Sequence, residues 1–441
     1  MITKHFSWFS ILRLGVVQMS LGSVLALTNA TLNRVMIVEL SLLAFIPGVL
    51  IALHYAVQIT RPNWGYLSDK GGNRTKWIIL GLVVLCFGAL GATISLFVFE
   101  KNFLLGLILS TFSYTLIGIG VGASGTSLLA FLATGTKETQ RGLAATITWL
   151  MMILGAILTA FIISIFIEPY SHLNLLKVIL FQSCILLLLC TISLWKIEER
   201  TFLNSKKINN DEKISFKIAF KEIFSEKLTR LFTIFVFVAM TAYYMQDLIL
   251  EPYAGLIFNY TVQESTQLSG FQNAGALIGM IIVGVMCTII KLGSLKFWVF
   301  IGCVMSSISL ILIGLLGLVD LNISLNILVC FLGFSNGVFA VAAIGCMMQL
   351  AGHGRNKREG TRMGLWGASQ AIAAGFGGLI GTGLLDLSRI ILNQDNISFA
   401  IIFFLESILF IIAAYISLNI KKVENEKFNL NQLEMVGKND L

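Results

Sequence analysis

Two carboxylates, Asp247 and Glu251, stand four residues apart in a stretch that is otherwise almost wholly apolar. A step of four puts them on one face of a helix. Acids inside an apolar span are expensive and mark function. Pro252 follows directly; it should break the helix behind them, because it frees a backbone carbonyl and permits a bend. Arg34 lies at a comparable depth in an earlier apolar segment and is expected to neutralise Asp247 or Glu251 across a central cavity. Three roles are open to these acids: a structural ion pair, a substrate or gating site, and a proton-coupling site. His54, Gln58 and Arg61 form a second group. Steps of four and three place them on one stripe, and the helix should stop at Arg61-Pro62, because a residue before proline avoids helical geometry. Glu406 lies mid-span in the last apolar segment, where it either faces a neighbouring helix or meets an outside partner. Asp386 and Arg389, three apart, are expected to pair locally.

The elements that must position these residues are set by composition. The chain has 441 residues, 56% hydrophobic and 12% charged, with mean hydropathy +0.86. Soluble domains carry about 25% charged residues, so this surface faces lipid. About twelve segments of roughly 20 residues are long enough to cross a bilayer: 14–32, 40–60, 77–99, 104–134, 142–167, 175–195, 229–257, 266–290, 295–318, 324–351, 362–391 and 397–420. Their apolar runs are continuous rather than alternating, which predicts helices and not a β-barrel. The fold class is therefore an all-α membrane protein. All seven cysteines fall inside these spans without metal-ligand spacing, so no metal site is expected. There is no phosphate loop, and no nucleophile with a base, so no enzyme activity is expected.

The net charge of +8 is a topology signal rather than a nucleic-acid footprint. Of 31 Lys and Arg, 27 fall in the two ends and alternate loops on one side of the membrane. The other side holds only Arg34, Lys101, Lys177 and Arg389. The positive-inside rule then puts both termini in the cytoplasm. The polar stretch Met1–Arg13 reads as a lead-in to a retained span rather than a cleaved signal. The longest loop, 196–230, is Lys- and Asn-rich and divides the chain into six-helix halves, 1–195 and 231–420, with a tail at 421–441. Within the loop, Phe216–Phe224 can form an amphipathic helix on the membrane surface. The halves are related: Leu132-Ala133, Glu138-x-x-Arg141 and Trp149 recur as Leu350-Ala351, Glu359-x-x-Arg362 and Trp366. Two parallel six-helix repeats joined by a long loop are the major facilitator architecture.

Between the second and third spans, Gly65-x-Leu67-Ser68-Asp69-Lys70-x-Gly72-x-Arg74 resembles the major facilitator signature loop. The resemblance implies that Asp69 faces the start of the eleventh helix near Gly360-Thr361, where a helix dipole favours a carboxylate by about 0.3–2 kcal/mol. Lys70 or Arg74 would close a charge network with Glu138, with Arg141, Glu359 and Arg362 as the remaining members of this cytoplasmic latch. Three further blocks resemble the PucC-type bacteriochlorophyll delivery family: Leu32–Glu39, His54–Gln58 leading into Thr60–Gly65, and Gln246–Gly255. The resemblance implies a photosynthetic membrane, thylakoid or intracytoplasmic. The partners would be light-harvesting or chlorophyll-binding proteins, and the cargo chlorophyll or bacteriochlorophyll. In that setting His54 is a candidate axial ligand to a pigment magnesium, or a hydrogen-bonded structural histidine; Gln58 is a weaker candidate. Glu406 would meet a partner protein or pigment. A proton-coupled transporter of a small amphipathic solute, and a pigment-free assembly scaffold, are the alternatives.

Overall fold

The computed structural model describes residues 5–61, 64, 74–136, 141–197, 226–319, 322–352 and 359–439. Among the described residues there are twelve helices and no strand. The first six are α1 (Trp8–Glu39), α2 (Phe45–Val57), α3 (Arg74–Lys101), α4 (Phe103–Gly135), α5 (Arg141–Leu158, continuing to Ser164–Ile167) and α6 (His172–Leu194). The second six are α7 (Lys227–Phe258), α8 (Val262–Val285), α9 (Leu295–Leu316), α10 (Leu325–Gly352), α11 (Glu359–Leu392) and α12 (Asp395–Asn439). Eleven are long and apolar enough to cross a bilayer; α2, at 13 residues, is the short one. The chain is a multi-pass membrane protein. The surface-helix segment Phe216–Phe224 expected in the long loop lies outside the described residues.

Turn chemistry in the sequence sets the helix ends. Asn102 and Ser171 cap α4 and α6 by accepting from Leu105 and Asn174 backbone N–H groups at 3.1 and 3.0 Å. Thr261 and Glu264 close a reciprocal capping box on α8. Asn259, in the left-handed region at φ 56°, ends α7. The α1–α2, α5–α6, α7–α8 and α11–α12 turns share one face of the bundle, here the distal face. The C-terminal ends of α2 and α6 lie towards the opposite, proximal one. At the distal α5–α6 turn, the Tyr170 hydroxyl bonds His172 Nδ1 at 2.7 Å, and His172 Nε2 lies 3.2 Å from Glu100 of α3. Burial, with the Glu39 carboxylate adding to it, holds the Tyr170 hydroxyl above its usual range.

Two cores result. One is built from α1 to α6, around Leu14, Leu82, Tyr114 and Phe131. The other is built from α7 to α12, around Phe235, Tyr253, Phe339 and Phe403. They exchange residues at their seam. Ile37 and Ala44 pack into the second core, and Leu248 and Val262 into the first. The sequence-related tryptophans take different environments: Trp366 is buried 4.9 Å from the Phe232 ring, while Trp149 is exposed. Repeat positions therefore share a place in the topology without sharing neighbours.

Helix α2 is laid against α4 by small residues. A Cβ on Gly118 would lie 2.6 Å from the His54 carbonyl oxygen, so only glycine permits this approach. Substitution of Gly118 by Ala is expected to lower the unfolding temperature in detergent, at an overpacking cost of about 1–3 kcal/mol. Gly284→Ala is the control, since a Cβ there meets nothing within 4 Å. Equal melting temperatures for the two variants would contradict the close-approach account.

Candidate functional site: the seam between the halves

Helix α1 reaches the seam through two π-helical turns, Leu27–Leu32 and Val35–Glu39. Wide turns of this kind re-aim side chains and occur at functional sites. Here they carry Asn29 and Glu39, with Asn33 and Arg34 between them. Asn33 Nδ2 donates to the Leu248 carbonyl oxygen at 2.6 Å. The reason is Pro252. It has no N–H, so the carbonyl four residues earlier, that of Leu248, loses its partner within the helix. The expected break is absent: α7 runs unbroken through Pro252, and the freed carbonyl is satisfied from the opposite half.

Arg34 does not reach Asp247 or Glu251. Its Nη1 pairs with Glu39, and its Nη2 donates to the Tyr260 carbonyl at 2.7 Å. The π-helical turn explains the change, because its i to i+5 spacing brings residue 39 beneath residue 34. An acid on the same helix needs no second desolvation of a charge across the seam. Glu251, 2% exposed, instead accepts a hydrogen bond from Ser269 of α8. Asp247 is half-buried at the seam.

Asp386 and Arg389 do not pair with each other either. Asp386 accepts from the backbone N–H groups of Ala44 and Phe45, at 3.0 and 2.7 Å. It thus occupies the N-terminus of α2, where unpaired donors and the helix dipole favour an anion. Arg389 makes a two-point contact with Asp395, at 2.7 and 3.3 Å. The dipole contact anticipated for Asp69 at the start of α11 thus has a counterpart on the other face: an acid of α11 at the start of α2. With the Thr31–Thr266 bond at 3.2 Å and the Phe161–Phe271 edge contact, these bonds stitch the distal side of the seam.

The proximal half of the seam has different chemistry. His54, Gln58 and Arg61 do come together. Arg61 Nη2 donates to Gln58 Oε1, and Gln58 Nε2 lies 3.0 Å from His54 Nε2. Arginine can only donate, so Gln58 presents its oxygen to Arg61 and its NH₂ to the imidazole. His54 must then accept at Nε2 and carry its proton on Nδ1. The Nε2 lone pair is engaged by Gln58 and the ring is fully buried, so His54 is the anchor of a relay. Next to it, Tyr55 of α2 meets Tyr244 of α7, ring centroids 5.7 Å apart. Tyr243 lies 5.2 Å from Tyr244. These three tyrosines are half-buried, as is Asp247. Sequence reasoning missed them, although Tyr243 stands four residues before Asp247 on the same helical stripe.

Glu406 is not at an outer surface. It is fully buried in the second core, between Phe403 and Phe410 on one face of α12. It therefore cannot meet an outside protein or pigment directly. Gly65, Asp69, Lys70, Gly72 and Glu138 of the anticipated latch lie outside the described residues. So do the side chains of Arg141, Glu359 and Arg362. Arg74 donates to the Ala130 carbonyl of α4 at 2.5 Å.

The PUCC protein family model matches residues 31–425. The chain belongs to the PUCC family. It is 50% identical over 407 residues to the bacteriochlorophyll synthase 44.5 kDa chain of Rhodobacter capsulatus, covering 92% of this chain and 94% of that protein. Against protein PucC of Cereibacter sphaeroides identity is 26%, covering 85% of this chain and 83% of that protein. Among solved structures, the fold matches an inward-facing, unoccupied bacterial homologue of the lysosomal transporter Spinster with TM-score 0.70 at 13% identity, over 94% of this chain and 96% of that one. The nucleoside transporter NupG matches with TM-score 0.65 at 13% identity, over 94% and 99%. The fold of this PUCC protein is thus the major facilitator fold.

Asn33→Leu in the PUCC chain strands the Leu248 carbonyl and is expected to destabilise the fold by about 1–3 kcal/mol. Pro252→Ala restores the missing N–H. In the Asn33→Leu background it should therefore recover most of the lost stability. Thermal unfolding of the two single variants and the double variant measures the coupling; strict additivity would show that Asn33 does not serve that carbonyl.

Proposed function

We propose that this protein binds a chlorophyll-type pigment and hands it over during assembly of light-harvesting or other chlorophyll-binding complexes in a photosynthetic membrane. The observation that carries the reading is the extent of the family match. It spans both halves and therefore includes the seam where tyrosines from each half meet. Relatives named for bacteriochlorophyll synthase and for PucC point to the same chemistry. Aromatic rings suit a planar macrocycle, and the half-buried Asp247 supplies a polar contact beside them. The partners in this reading are antenna or other chlorophyll-binding membrane proteins. The chain serves as a carrier with no catalytic step of its own, and pigment is cargo rather than a resident cofactor. The Lys and Arg asymmetry supports both termini in the cytoplasm.

A second reading is proton-coupled transport of a small amphipathic solute. The transporter fold of the structural neighbours and the two acids within α7 favour it. It predicts gradient-driven uptake in vesicles that is lost on Asp247→Asn or Glu251→Gln. A pigment-free scaffold is the third; it shares the antenna partners and predicts a colourless protein.

Purification in mild detergent from pigment-containing membranes, followed by an absorption spectrum, separates the readings. Under the leading one, chlorophyll-type bands and an antenna polypeptide accompany the protein, and Tyr55→Ala/Tyr244→Ala loses most of the bound pigment. His54→Ala should weaken binding only partially, because its ring acts through Gln58 and Arg61. A colourless preparation with no antenna partner would overturn the reading.

A further inference from the structure

Helix α7 carries a stripe of accessible side chains that stops at one acid. Met240, Tyr243, Tyr244 and Asp247 are all half-buried, and steps of three and four place them on one face. Beyond Asp247 the helix closes. Leu248 to Gly255 are all buried, and Glu251, the next acid of the stripe, is sealed against Ser269. Tyr244 meets Tyr55 of the other half, so the stripe faces the seam. Asp247 therefore stands at the closed, inner end of the tyrosine cluster. The helix itself puts it there, because residues three and four apart are neighbours on a helix surface.

Two oxygen acceptors at this end lack donors. Among the described residues, no hydrogen bond or ion pair engages the Asp247 carboxylate. On α1, Asn29 is 9% exposed and its Oδ1 is buried without a partner. Helices α1 and α7 run in the same direction, and Asn33 bonds the Leu248 carbonyl. One turn towards the proximal side, Asn29 and Tyr244 therefore stand at the same level. An unpaired carboxylate within a membrane span is costly and calls for a cation or a donor. Arg34, the cation at comparable depth, is committed to Glu39 and the Tyr260 carbonyl.

We propose that the Asp247 carboxylate is the axial ligand to the magnesium of the pigment, so that the site takes the metallated macrocycle over its metal-free form. This rests on the pigment-binding reading above and assigns the ligand within that site. Magnesium is a hard cation that takes oxygen ligands. In a chlorophyll-type pigment the four ring nitrogens leave its axial positions open. The metal offsets the uncompensated charge of the carboxylate, while the neighbouring tyrosine rings contact the macrocycle. His54 has its Nε2 engaged by Gln58 and offers no such free acceptor there. A single carboxylate oxygen is also a ligand that a receiving protein can displace, which hand-over to a chlorophyll-binding partner requires.

The test uses the full chain in nanodiscs of zwitterionic lipid, titrated with bacteriochlorophyll a and with bacteriopheophytin a. The two share macrocycle and tail and differ in magnesium against two protons. Quenching of protein fluorescence reports binding. The magnesium pigment is expected to bind at least about tenfold more tightly, or about 1.4 kcal/mol. Asp247→Leu should erase that difference while leaving bacteriopheophytin affinity unchanged, which also shows that the variant is folded. Asp247→His, which supplies a nitrogen ligand at the same position, should keep the preference and shift the absorption of the bound pigment. Equal affinity for both pigments in the unmodified protein would overturn this inference and leave the pigment reading standing. Binding of neither probe would overturn both. A preference that survives Asp247→Leu would put the ligand elsewhere and overturn the assignment.

Discussion

The structure depends on one constraint: inside a bilayer, every backbone polar group must find a protein partner. Pro252 breaks that rule within α7, and Asn33 of α1 repairs it from the other half. The repair is also a close polar tie between the halves, at 2.6 Å. Because the Leu248 carbonyl belongs to the same turn as Asp247 and Glu251, its position sets where those acids stand. The π-helical turns of α1 bring Asn33 into reach, and they also turn Arg34 onto Glu39 and Tyr260. A single missing N–H thus accounts for much of the distal seam.

The two ends of the seam differ in kind. The distal side is closed by direct hydrogen bonds between the halves, with Asp386 on the N-terminus of α2 and Asn33 on α7. On the proximal side, Arg61 donates to Gln58, Asp247 is half-buried, and Tyr244 meets both Tyr55 and Tyr243. The meeting of tyrosine rings from the two halves is why the functional reading is placed on the proximal half.

Much of the fold was legible beforehand. Continuous apolar runs announced the helices; the caps Asn102, Ser171, Thr261 and Asn259 came to light only with the structure. The His54, Gln58 and Arg61 stripe was also readable, because all three lie within two turns of one helix. The failures share a cause. Arg34 was matched to Asp247 and Glu251 by depth, yet a π-helical turn offered it Glu39. Asp386 was matched to Arg389 by spacing, yet unpaired N–H groups of α2 lay closer in space. Glu406 was assigned outward because α12 comes last, yet its face of the helix turns into the second core.

By itself, the sequence determined the solvent and the succession of apolar helices. These follow from local apolarity, which needs no distant partner. It also located the polar residues whose burial demands an explanation. Only the tertiary structure decided which partners they take. In a low-dielectric interior each polar group bonds the nearest complementary group in space. For Asn33 and Asp386 that partner lies on another helix, more than 200 residues away along the chain.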